Sequence, residues 1–93
     1  MKYVLVAEDE ASIRDFVVIN LHRSGYEVIE ASNGEEAIKL FDEYESKIDV
    51  VILDIMMPVM DGYQALVGIR NMEKERNIPE EKAVKVIMAT ALN

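Results

Sequence analysis

The chain has 93 residues, of which 51% are hydrophobic, and it contains no cysteine. That is enough for one packed domain spanning 1–93, and it excludes both a disulfide framework and a thiolate metal site. A formal charge of −8 argues against direct nucleic-acid binding, which needs a basic footprint, and suits divalent cations or basic partner surfaces.

Along the chain, Tyr3 to Ala7 is a short apolar run rich in valine, the pattern of a strand buried on both faces. It is far too short for a signal peptide or a membrane span, so no membrane association is expected and cytoplasm is the expected compartment. Three acids follow, Glu8-Asp9-Glu10. Ile13, Phe16, Val17, Asn20, Leu21 and Ser24 then recur at helical spacing, with Gly25 as a stop. Tyr26 to Ala31 alternates as a second strand. Ser32 and Glu35 offer a capping box for a helix through Ala37, Ile38, Leu40 and Phe41. Val50 to Asp54 is the most hydrophobic run and the candidate central strand. Pro58 and Asp61-Gly62 punctuate the following loop, and Tyr63 to Arg76 reads as an exposed helix ended by Asn77-Ile78-Pro79. Val84 to Ala89, closed by Thr90, is a fourth strand. Strand–helix alternation with short connections predicts an α/β fold, a parallel sheet with helices on both faces.

In such sheets ligands bind beyond the carboxyl ends of the strands, where the strand order reverses. Here those ends carry Glu8-Asp9, Asp54 and Thr90. A buried strand has no structural reason to end in an ionised carboxylate, because desolvating an unpaired charge is costly. Carboxylates gathered at one switch point repel one another unless a cation neutralises them. An all-oxygen donor set selects a hard cation, Mg²⁺ before Ca²⁺, and a carboxylate beside Mg²⁺ is a competent nucleophile toward phosphorus. Each feature alone is bland: acids after a strand suit a helix N-terminus, and a lone Asp caps a turn. His22, the one histidine, sits near a helix end where a cation merely complements the dipole. Met56, Met57 and Met60 suit either core filling or a contact surface.

Val4-Leu5-Val6-Ala7-Glu8-Asp9-Glu10 and the run Leu53-Asp54-Ile55-Met56-Met57-Pro58-Val59-Met60-Asp61-Gly62 resemble the two signatures of response-regulator receiver domains, the CheY-like partners of sensor histidine kinases. Ala31 to Ala37 and Met88 to Ala91 are also similar to that family. The resemblance implies a flavodoxin-like three-layer sandwich with strand order 2-1-3-4 and a role in two-component signal transduction. It implies that Asp54 takes a phosphoryl group from a sensor histidine kinase or a phosphotransfer protein. Asp9, Asp54 and the Met56 carbonyl would bind Mg²⁺, Glu8 (where the family usually has Asp) would contact it through water, and Thr90 would be the switch hydroxyl.

The family continues through a fourth helix, a fifth strand bearing a phosphoryl-pairing lysine, and a fifth helix. The expectation for this sequence is therefore a sheet incomplete at its C-terminal edge, slow phosphorylation or none, and self-association through the exposed fourth strand. Lys85 lies inside the fourth strand and is not expected to replace that lysine. Two competing readings are a binding module without phosphotransfer and a haloacid-dehalogenase-like phosphatase. The second needs an Asp two residues after the nucleophile, and this sequence has Met56 there.

Overall fold

Three largely apolar runs and one alternating segment become the strands of one parallel sheet in the computed structural model, which describes residues 2–89. In chain order the elements are β1 (Tyr3–Ala7), α1 (Ala11–Arg23), β2 (Glu27–Ala31), α2 (Gly34–Tyr44), β3 (Ile48–Asp54), α3 (Gly62–Glu75) and β4 (Lys85–Ala89). Short 3₁₀ turns at Glu45–Lys47 and Glu80–Lys82 precede β3 and β4. Thr90, expected to close the fourth strand, lies outside the described residues.

The sheet order is β2-β1-β3-β4, with every pairing parallel. This is the flavodoxin-like, CheY-like arrangement. The chain steps one way from β1 to β2, then back across β1 to β3 and on to β4. Parallel crossovers are right-handed almost without exception, so that reversal puts α1 on one face and α2 and α3 on the other. Strand side chains divide accordingly. Leu5 and Ala7 join Val51, Leu53, Ala37, Phe41, Ala65 and Ile69 in the core beneath α2 and α3, whereas the buried Val4 and Val6 point to the α1 face. Because β1 and β3 are central, their carboxyl ends lie side by side at the reversal point.

Local chemistry explains the boundaries. Gly25, at φ +91, turns the chain out of α1, a conformation that costs glycine little. The α2 cap is one residue later than expected. Asn33, not Ser32, accepts the Glu36 N–H at 2.8 Å, while Glu36 reaches back to the Ser32 N–H at 2.8 Å. Asp61 and Gln64 form a full capping box on α3, with bonds of 2.8 and 3.0 Å. Gly62 begins α3 hard against β3, and a side-chain carbon there would collide with the Asp54 carbonyl oxygen.

The α3 helix is less exposed than its charges suggest. Gly62, Ala65, Ile69 and Glu73 form a buried stripe. Glu73 is 4% exposed and accepts from Arg70 Nη1 at 2.7 Å and from the Val84 N–H at 2.7 Å, tying α3 to the start of β4. Arg76 bridges to Asp42 and joins the ends of α3 and α2. The α1 helix, by contrast, has no fully buried residue, and Phe16 and Ile19 stand 59% and 52% exposed.

Candidate metal and phosphoryl site

The β1 strand is buried to its last residue, and Glu8 follows with no accessible surface at all. Asp54, the last residue of β3, is 1% exposed. The parallel pairing of β1 and β3 brings these two strand ends together, as Ala7 stands opposite Leu53. Glu8, Asp9 and Asp54 each present a carboxylate oxygen, and the three oxygens lie within 4.8 Å of one another. The three acids singled out in the sequence therefore converge.

Two of the three carboxylates, those of Glu8 and Asp54, are half satisfied. Glu8 Oε2 accepts the Glu10 N–H at 2.9 Å, and Asp54 Oδ1 accepts the Met56 N–H at 3.3 Å. Glu8 Oε1, Asp9 Oδ1 and Asp54 Oδ2 are buried with no hydrogen-bond partner. Orphaned acceptors of this kind are rare in native structures and call for an explanation. Their electrostatic cost is visible at Glu8, whose pKa is pushed from its ordinary 4.5 to about 7. Burial is the main cause, opposed by the Glu10 N–H and reinforced by the neighbouring Asp9 and Asp54 carboxyls. Three convergent oxygens without donors and without nitrogen or sulfur fit a hard divalent cation, which would supply the missing positive charge.

The loop after β3 supports the cluster from the other side. The Met57 side chain is 7% exposed and fills the core, Met60 packs partly against it, and Met56 stands 79% exposed. The methionines thus divide between core filling and surface. The N–H of Gly34 donates to the Met60 carbonyl at 3.2 Å, docking this loop on the start of α2. Met56 occupies the position where a haloacid dehalogenase would carry its second Asp, and its side chain projects into solvent. Lys85 lies at the opposite end of the sheet, where it pairs with Val50 at the start of β4.

A doubly wound parallel sheet with three acids gathered at its switch point is an α/β domain with an acid-lined strand end. Comparison with known proteins narrows the class. The family model for the response regulator receiver domain matches residues 4–93, and the chain belongs to that family. It is 47% identical over 89 residues to a probable transcriptional regulator, ycf27, of Guillardia theta, an alignment covering 96% of this chain and 31% of the relative. The chain thus spans about a third of the curated relatives it matches. Among solved structures it resembles the CheX–CheY–BeF₃–Mg²⁺ complex of Borrelia burgdorferi, with TM-score 0.83 and 31% identity, covering 97% of this chain and 62% of that one. It also resembles the Saccharomyces cerevisiae complex of the phosphotransfer protein Ypd1 with the Ssk1 receiver domain, with TM-score 0.80 and 25% identity over 96% of this chain and 61% of that one. Receiver domains are signalling domains of two-component systems, and this chain is one of them. No described helix is long and apolar enough to cross a membrane.

Proposed function

We propose that this chain is a cytoplasmic phospho-acceptor that takes a phosphoryl group onto Asp54 with Mg²⁺ bound beside it. The observation that carries the reading is the set of three buried, partnerless carboxylate oxygens on Glu8, Asp9 and Asp54. Asp9, Asp54 and the Met56 backbone carbonyl would hold the ion, with Glu8 acting through water. The bound cation would neutralise the acids and the charge on the phosphoryl oxygens.

The donor is a phosphohistidine on a sensor histidine kinase or a phosphotransfer protein, a partnership supported by the Ypd1–Ssk1 likeness. In the transfer, an Asp54 oxygen forms a bond to phosphorus as the phosphorus–nitrogen bond breaks, and the imidazole leaves with the electron pair. Burial keeps Asp54 from bulk water, while the Met56 N–H orients one of its oxygens. Asp54 needs no general base, because it reacts as the carboxylate. The Thr90 hydroxyl would donate to a phosphoryl oxygen. Incubation with acetyl phosphate and Mg²⁺, followed by intact-mass and peptide analysis, tests the assignment. Slow uptake of one phosphoryl group on Asp54 is expected, and modification of Asp42 or Asp49 instead would overturn it.

A further inference from the structure

Arg14 lies on α1, one turn beyond the acids, and its side chain is 19% exposed. Its Nη1 donates to the Glu8 carbonyl oxygen at 2.8 Å, and its Nε donates to Glu30 Oε1 on β2 at 3.3 Å. The acceptor matters. The Glu8 carbonyl belongs to the peptide that joins Glu8 to Asp9, so fixing its direction fixes the backbone torsions on either side. Those torsions aim both carboxylates. The same turn is pinned by the Glu8 N–H on the Ala31 carbonyl at 3.1 Å and by the Arg14 N–H on the Glu10 carbonyl at 2.9 Å. Only Arg14 holds the Glu8–Asp9 peptide by its oxygen among the bonds of the described residues, and Glu30 holds Arg14 in place.

We propose that Arg14 is a positioning residue for the metal site, holding the Glu8–Asp9 peptide so that both carboxylates face Asp54. This rests on the reading of the acids as a Mg²⁺ site. A guanidinium suits the task because its rigid fork serves two acceptors at once, the carbonyl and the Glu30 carboxylate, which an ammonium cannot match.

The sign of the effect separates positioning from simple charge. Arg14 is a cation close to a cation site, so through space its removal should tighten metal binding. If it positions the ligands, removal should weaken binding, by roughly tenfold or more as for other groups that orient metal ligands. The experiment is a calorimetric Mg²⁺ titration of wild type, Arg14→Met and Arg14→Lys, with melts in chelator to measure metal-free stability. Arg14→Met should weaken Mg²⁺ binding, and Arg14→Lys should recover part of the loss. Should Arg14→Met fail to fold, Arg14→Lys, which keeps the charge, carries the test by its own weaker binding. Affinity equal to or tighter than wild type in the folded variants would overturn the positioning role and leave the metal site standing. A wild type that binds no Mg²⁺ would overturn the site and the positioning role together.

Discussion

Two buried carboxylate environments sit at opposite ends of this sheet, and they are solved in opposite ways. At the start of β4, Glu73 spends one oxygen on Arg70 and the other on the Val84 N–H. At the ends of β1 and β3, Glu8 and Asp54 are at least as deeply buried, yet each keeps an oxygen without a donor. A protein tolerates a buried charge when its own groups answer it, as at Glu73. Where they do not, the charge is held ready for something else. Burial alone does not distinguish the two ends; hydrogen-bond satisfaction does.

Substitution should break the two ends with opposite sign. Glu73→Ala strands the Val84 N–H and frees Arg70, so it should cost about 2 kcal/mol, the scale of a buried unsatisfied donor. Urea unfolding should show that loss equally with and without Mg²⁺. Glu8→Gln should do the reverse in chelator above pH 7, raising stability by about 1 kcal/mol, because a neutral amide costs far less to bury than a carboxylate.

The pH dependence sharpens the same contrast. The folded protein holds the Glu8 proton more tightly than the unfolded chain does, its pKa being about 7 against an ordinary 4.5. The metal-free contribution of Glu8 is therefore fully present below pH 4.5 and is lost as pH rises through about 7. The advantage of Glu8→Gln should vanish below 4.5 in melts across this range. Mg²⁺ binding requires the ionised carboxylate, so stabilisation by the metal should grow as pH passes 7 in wild type and should grow less in Glu8→Gln. A flat wild-type profile in both conditions would remove Glu8 from the site.

The fold was legible because three of its strands are built around apolar runs, the second alternates apolar and acidic residues, and the turns carry glycine, proline and capping residues. The acids were legible for a different reason: a carboxylate at the end of a buried strand conflicts with the local pattern, and such conflicts mark function. The α2 cap was misread by one residue because Ser32 and Asn33 are both good caps and Glu35 and Glu36 both follow, so composition could not choose the register. The burial of Glu73 was missed because Arg70, Lys74 and Glu75 around it read as a solvated face. Its partner, the Val84 N–H, lies eleven residues away. The spacing Ala65, Ile69, Glu73 was the available signal, since it continues the core stripe at intervals of one helical turn. Arg14 carried no signal of its own, because its contact is with a backbone carbonyl, which the sequence does not reveal.

In the proposed function the partnerless oxygens of Glu8, Asp9 and Asp54 hold a divalent cation. Thermal melts of wild type and Asp9→Asn above pH 7, with chelator and with Mg²⁺ to millimolar levels, test it most directly. Wild type should gain stability with metal, reaching about 2.7 kcal/mol at a concentration a hundredfold above Kd. Asp9→Asn should lose most of that gain while melting normally in chelator. A wild-type transition unmoved by millimolar Mg²⁺ would contradict the account.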